Sequence, residues 1–197
     1  MPHTDDAPPL DLDHRTGWPT DLRVLIDKYP RDVWPTHPNL GDLSKFWLSR
    51  HDMFRELNTA LLSASDQLKA GAVPADQFQA WFIPRINVFL SQLNEHHTIE
   101  DHHYFPVLTA LETRLSRGFD VLEEDHETIH TGLLTLQEAG SGLARALAGP
   151  PDRIGFAAET MSDRLSGFLK SLHRHLDDEE DLIIPVLLDR GEGALGG

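Results

Sequence analysis

Two stretches of the chain repeat one pattern of residues that could bind a metal ion. Each has a histidine, a glutamate four residues later and a proline six residues after the glutamate. The pattern is formed once by His96, Glu100 and Pro106 and again by His175, Glu179 and Pro185. Residues four apart lie on the same face of an α-helix, so each stretch can direct an imidazole and a carboxylate to one point. Two such pairs that face each other would form a metal site.

Further histidines interrupt the apolar faces of other predicted helices. His51 lies inside the apolar stripe of the first predicted helix, and His126 and His130 are four residues apart on the inward face of the third. A lone histidine on an apolar face is usually a core residue, so His51 alone is weak evidence for a ligand. Nine of the 12 histidines, however, fall within residues 51–175. This clustering indicates a shared role.

Four amphipathic helices are predicted to position these side chains. Apolar residues recur at helical spacing in four segments, at about 39–70, 75–115, 119–147 and 152–188. Pro84 and Pro106 are expected to bend the second helix. Glu100 interrupts the apolar seam of that helix. A buried carboxylate without a partner is unstable, so a cation is expected beside it.

The helix pattern predicts the fold class and the division of the chain. Long helices joined by short breaks favour an all-α fold, an antiparallel up-down four-helix bundle with an N-terminal arm. No alternating pattern typical of strands is present in the sequence. The predicted parts are an N-terminal arm packed on the bundle, the bundle itself and a flexible tail, at residues 1–39, 40–190 and 191–197.

Composition excludes several classes of function. The net charge of −15 argues against a nucleic acid partner, which would require clustered lysine and arginine. The absence of cysteine rules out disulfides, iron–sulfur clusters and thiolate zinc sites. No apolar run is long enough for a membrane span, and the acidic N-terminus lacks the features of a signal peptide. A cytoplasmic location is therefore expected.

The number and type of candidate ligands favour two transition-metal ions. The seven candidates are His51, His96, Glu100, His126, His130, His175 and Glu179. They are too many for one zinc ion, and calcium and magnesium prefer oxygen ligands. Two six-coordinate ions offer about 12 positions. Five imidazoles, two bridging carboxylates and a bridging oxo or hydroxo group leave about one position open, or about two if His130 is not a ligand.

The ligand pattern resembles the hemerythrin-like HHE cation-binding domain over about residues 40–190. The resemblance implies a non-haem, oxo- or hydroxo-bridged centre of two iron ions, with Glu100 and Glu179 as bridges. The pair His126 and His130 is similar to the two histidines in the third helix of O2-carrying hemerythrins. In the fourth helix, Glu179 follows the histidine by four residues, whereas the carriers have an aspartate five residues after it.

Several functions remain open at this point. The leading expectation is a diiron protein that binds O2 or a related small ligand, for sensing, storage or carriage of O2 or nitric oxide. The alternatives are an enzyme that consumes peroxide or nitric oxide at the same centre, and an iron-responsive metal-binding protein. His97 and His102 are interpreted as neighbours of the ligands or as surface residues. His103 is a further candidate ligand or neighbour, and Tyr104 a packing aromatic or a source of a proton or electron.

Overall fold

The computed structural model describes residues 9–195, and helices dominate them. The first eight residues of the predicted arm and the last two of the predicted tail lie outside the described residues. No residue within 9–195 forms a strand, so the all-α prediction is confirmed. The α-helices are α1 (Asp42–Lys69), α2 (Ala75–Ile99), α3 (Phe105–Leu111), α4 (Ser116–Leu147) and α5 (Ile154–Arg190).

A π-helical turn at Glu100–Tyr104 joins α2 to α3. The amide of Phe105 donates to the carbonyl of Glu100, five residues earlier. The next residue, Pro106, has no amide hydrogen, and its ring would clash with the carbonyl of a regular preceding turn. Widening to a π-turn accommodates the proline without ending the helix. Pro84, by contrast, lies inside α2, which continues through it as an α-helix.

Glycine ends two of the long helices. Gly71 follows α1 with φ of 68°, and Gly191 follows α5 with φ of 76°. Only glycine adopts this left-handed conformation at little cost, and it reverses the chain direction at a helix end. The short connection from Gly71 to Pro74 then places α2 next to α1 in the antiparallel sense.

Two compact units can be distinguished, and every long helix contributes a segment to each. Of the described residues, unit 1 comprises 9–49, 99–126 and 174–195, and unit 2 comprises 50–98 and 127–173. Among the described helices, none combines the length and apolar character that a membrane span requires.

Aromatic residues pack the four helical segments of unit 2 together. The rings of Phe54 on α1 and Phe89 on α2 meet edge to face at 6.4 Å, and Phe89 meets Phe168 on α5 at 5.9 Å. On α4, Gly132 lies so close to Phe168 that an added Cβ would be 2.7 Å from the ring. Unit 2 is therefore a four-helix bundle whose α4 and α5 approach each other through a glycine.

The core of unit 1 combines the helices with the residues that precede α1. Trp18, Leu22 and Leu25 are buried in the same cluster as Phe119 of α4 and Leu182 of α5. Trp18 also donates its indole N–H to the carbonyl of Asp178 on α5 at 2.9 Å. The predicted arm therefore contributes core residues to unit 1, although its boundary at residue 39 stays a prediction.

The described part of the predicted tail has a defined structure. Residues Glu192–Leu195 form a short 3-10 helix. The carboxylate of Glu192 accepts hydrogen bonds from the amides of Leu43 and Ser44, at 3.1 and 2.7 Å. These amides belong to the first turn of α1 and have no partner within the helix, so Glu192 caps it.

Candidate metal centre

Four buried side chains of unit 1 bring metal-binding atoms close together. They are Glu100 of the π-turn, His126 of α4, and His175 and Glu179 of α5. The Nε2 atoms of His126 and His175 are 3.2 Å apart. Nε2 of His126 lies 3.7 Å from a carboxylate oxygen of Glu100, and Nε2 of His175 lies 3.4 Å from one of Glu179.

The separations of 3.2 and 3.4 Å match those of atoms that share one metal ion, and the third, 3.7 Å, is slightly longer. A nitrogen or oxygen ligand lies about 2.0–2.2 Å from a transition metal such as zinc. Two ligands at tetrahedral or octahedral angles around such an ion are then about 3.0–3.5 Å apart. The pair His126 and His175 and the pair Glu100 and Glu179 therefore each have ligand atoms close enough to share a cation.

Carboxylates fix the orientation of both imidazoles in unit 1. Nδ1 of His126 lies 2.6 Å from Oδ1 of Asp101, and Nδ1 of His175 lies 3.3 Å from Oδ2 of Asp125. With Nδ1 of each ring beside its aspartate, the Nε2 atoms face the Glu100 and Glu179 side. Such carboxylate–histidine pairs are typical of metal sites, where they set the tautomer and raise the basicity of the ligand.

The carboxylate of Glu179 accepts a hydrogen bond from a tryptophan side chain. Trp47, on α1, donates its indole N–H to Oε1 of Glu179 at 2.7 Å within the core. The ring of Tyr104 packs against Trp47 edge to face, with centroids 4.9 Å apart. One oxygen of Glu179 is therefore oriented by the indole, while the other lies beside His175.

Unit 2 contains a second pair of facing histidines. The Nε2 atoms of His51 on α1 and His96 on α2 are 3.1 Å apart. His51 is fully buried and His96 partly buried, and Phe54 packs against the ring of His96 with centroids 5.2 Å apart. This pair has nearly the same spacing as the pair His126 and His175 in unit 1.

A family comparison agrees with this geometry. The model of the hemerythrin HHE cation-binding domain matches residues 42–187, which is most of the chain. The chain belongs to this family. The prediction from the doubled His-x-x-x-Glu pattern is thereby confirmed, and the HHE domain is a cation-binding domain. Searches of characterised proteins and of solved structures gave no match.

His130 of this HHE domain differs in burial from His126 on the same helix. Its side chain is exposed, and its Nδ1 is 3.1 Å from Oδ1 of Asn94 on α2. The two residues line a surface groove of about 320 Å³. Four residues turn an α-helix by about 400°, so His130 is rotated about 40° from His126. His130 is nevertheless exposed, whereas the sequence predicted it on the inward face.

The histidines before and within the π-turn differ in burial. His102 and His103 are exposed, whereas His97 is buried with 5% of its surface accessible. In an uninterrupted α-helix, His103 would share a face with His96. The wider turn that begins at Glu100 changes this register, because it takes an additional residue. His103 therefore does not join the buried side chains.

Burial and neighbouring charges shift the pKa values of the HHE site. Burial and then the nearby Glu179 carboxylate raise the pKa of Glu100 well above its usual value. Burial lowers the pKa of His126, in spite of its bond to Asp101. Burial also disfavours the charged form of His175, but Asp125 and Glu179 outweigh it and raise the pKa of His175 to about 9. A cation would offset the repulsion between the two glutamates directly.

Proposed function

We propose that this HHE domain holds two iron ions in an oxo- or hydroxo-bridged centre that binds O2 or a related small ligand. The role would be sensing, storage or carriage of O2 or nitric oxide. The proposed ligands are His51, His96, Glu100, His126, His175 and Glu179. The observation that carries the proposal is the presence of two histidine pairs with Nε2 atoms 3.1 and 3.2 Å apart.

The type and number of side chains support iron and a dinuclear centre. Two pairs of imidazoles can serve one ion each, and two carboxylates have four oxygens with which to bridge them. Mixed imidazole and carboxylate ligands suit iron, whereas an imidazole-rich set argues against magnesium and calcium. When bound, such a pair supplies reversible electron transfer to a small ligand.

The protein side chains hold and shield the site. Asp101 and Asp125 keep the Nε2 atoms of their histidines directed inward, and Trp47 orients Glu179. Phe105 stacks on the ring of His126, with centroids 5.3 Å apart. Apolar packing of this kind limits the access of water, so that only small ligands reach the interior.

The exposure of His130 favours a second candidate function. Without His130, four imidazoles, two bridging carboxylates and one bridging oxygen leave about two of 12 coordination positions open. Two open positions suit turnover of peroxide or nitric oxide better than simple carriage of O2. An enzyme acting on one of these molecules is therefore the alternative proposal.

Metal analysis combined with absorbance spectra would test the proposal. Protein produced with iron available should contain about two iron ions per chain. The reduced protein should develop an absorption band in air that disappears when O2 is removed. Consumption of peroxide or nitric oxide without this band would support the enzyme instead. Iron binding with neither property would favour an iron-responsive protein, and well under two irons per chain would contradict a diiron centre.

Substitutions would test the ligand set. Glu100→Ala should remove most of the iron, because it deletes a carboxylate that can bridge both ions. Glu95→Ala is the control, since Glu95 is an exposed carboxylate on α2 whose partner is Gln92. His130→Ala should leave both iron content and spectrum unchanged. Retention of two iron ions in Glu100→Ala, or an altered spectrum in His130→Ala, would show that the proposed set of metal ligands is wrong.

A further inference from the structure

A buried arginine from the segment before α1 lies next to the proposed ligands of unit 1. The side chain of Arg15 is fully buried. Its Nε donates to Asp178 at 2.7 Å, and one terminal nitrogen donates to the carbonyl of Leu10 at 2.5 Å and to Asp125 at 3.3 Å. The other terminal nitrogen also bonds Asp125. Arg15 thus holds Asp125 through two donors and Asp178 through a third.

The carboxylate of Asp125 connects Arg15 to His175. Its Oδ2 accepts from Arg15 and lies 3.3 Å from Nδ1 of His175. The second aspartate, Asp178, is held in addition by Arg174 one turn earlier on α5. The guanidinium of Arg15 therefore holds the carboxylate of Asp125, which in turn is the acceptor for the imidazole of His175.

We propose that Arg15 is a positioning residue for His175, acting through Asp125. The inference rests on the proposed function, in which His175 binds a metal ion. A planar guanidinium with two parallel donors holds a carboxylate in one orientation. Without it, Asp125 is free to rotate, and Nδ1 of His175 loses its fixed acceptor. The segment that precedes the family match at residue 42 thereby contributes to the metal centre.

A second arginine of the same segment provides a matched control. Arg31 also pairs with two carboxylates of α5, Glu180 and Asp181, each at 2.7 Å. Its guanidinium lies over Trp34 at 5.0 Å, as that of Arg15 lies over Trp18 at 4.9 Å. Arg31 differs in that its side chain is 43% exposed and its partners do not include the carboxylate that contacts His175. Replacing it tests what the loss of an arm-to-helix ion pair does by itself.

The experiment compares Arg15→Gln, Arg15→Lys and Arg31→Gln with the unchanged protein. The first measurement is the rate at which a chelator removes iron from the loaded protein. Loss of a residue that orients a ligand typically lowers metal affinity 10–100-fold, so Arg15→Gln should release iron at least about 10-fold faster. Arg15→Lys, with a single ammonium in place of the two-pronged donor, should be intermediate. Arg31→Gln should remain close to the unchanged protein.

The second measurement does not depend on iron. Nitrogen NMR of the histidine rings in the metal-free protein reports the hydrogen bonding of His175, whose signals are assigned by their loss in His175→Gln. Arg15→Gln should shift the Nδ1 signal of His175, and Arg31→Gln should not.

The outcomes separate this inference from the proposed function. If Arg15→Gln releases iron as Arg31→Gln does and leaves the His175 signal unshifted, the positioning role is refuted. If the unchanged protein takes up no iron while the signal still shifts, the proposed function fails and the link from Arg15 to His175 stands. If Arg15→Gln does not fold, Arg15→Lys decides. An unshifted signal and normal iron release in that variant would overturn the inference.

Discussion

Trp47 shows how one hydrogen bond can act on the proposed centre. Its indole donates to Oε1 of Glu179 inside the core, where a charge-assisted bond contributes about 1.5–3 kcal/mol. Trp47→Phe keeps an aromatic ring and removes the donor. The carboxylate should then bind iron in a less fixed orientation, with an affinity lower by about 10-fold and a shifted absorption band. Iron titration followed by absorbance would measure both changes.

Trp34→Phe is the control for this substitution. Trp34 is also buried and donates its indole N–H to a backbone carbonyl, that of Tyr29, at 2.8 Å. Loss of this neutral hydrogen bond should lower stability by about 0.5–1.5 kcal/mol and leave the spectrum unchanged. Equal spectra for Trp47→Phe and the unchanged protein would mean that the indole does not influence Glu179.

The aspartates beside the proposed ligands are harder to recognise in the sequence than the proposed ligands are. The proposed ligands show in the sequence because a His–Glu pair at helical spacing interrupts an apolar seam. Asp101 and Asp125 look like ordinary surface charges in a chain with 32 acidic residues. Their role depends on contacts with histidines 25 and 50 positions away. The one available signal was that each aspartate is adjacent in sequence to a candidate ligand.

Close packing of α4 and α5 is expected to depend on Gly132. A methyl group at this position would come within 2.7 Å of the ring of Phe168, which the core prevents from moving freely. Gly132→Ala should therefore destabilise the protein by about 1–3 kcal/mol through overpacking. Gly140→Ala, on the same helix, has nothing within 4 Å of the added carbon and should stabilise it by about 0.5–1 kcal/mol.

Denaturant unfolding of the two variants would measure these changes. The two changes in the free energy of unfolding should have opposite signs, because both substitutions improve helix propensity and only Gly132→Ala creates a clash. If Gly132→Ala is as stable as Gly140→Ala, then α4 and α5 do not pack through the glycine.

Sequence periodicity predicted the long helices well and the interruption between α2 and α3 incompletely. Each long helix has its own apolar stripe and a glycine or proline near its end, and both are local signals. Pro106 indicated a disturbance at the right place. Whether the chain would kink, stop or widen into a π-turn depended on the packing of Phe105 and Leu108 in the core, which periodicity does not describe.

The pH dependence of folding should differ between the metal-free and the loaded molecule. In the metal-free protein the pKa of His175 is raised to about 9 from 6.5. Its contribution to stability is complete below pH 6.5 and is lost as the pH rises through 9. The raised pKa of Glu100 acts in the same direction, because the ionised form present at higher pH is disfavoured by burial. The metal-free protein should therefore become less stable between pH 6.5 and 9, by on the order of 3 kcal/mol.

Bound metal should remove this loss, since it replaces the protons on its ligands. The difference in Tm between loaded and metal-free protein is therefore expected to widen from pH 6.5 to 9. Calorimetry with and without a chelator would measure it. A constant difference over this range would show that these groups do not exchange protons for metal. In the metal-free protein, Glu100→Gln should reduce the loss of stability between pH 6.5 and 9, whereas Glu95→Gln should not.

Capping of α1 by Glu192 makes the molecule sensitive to a small proteolytic clip. The side chain of Arg190 is 45% exposed, immediately before the glycine that ends α5. A trypsin-like protease that cuts after Arg190 would remove residues 191–197, and Glu192 with them. The amides of Leu43 and Ser44 would then lose their acceptor, two turns before His51. The mass of a preparation should therefore be checked for this cut before its iron content is interpreted.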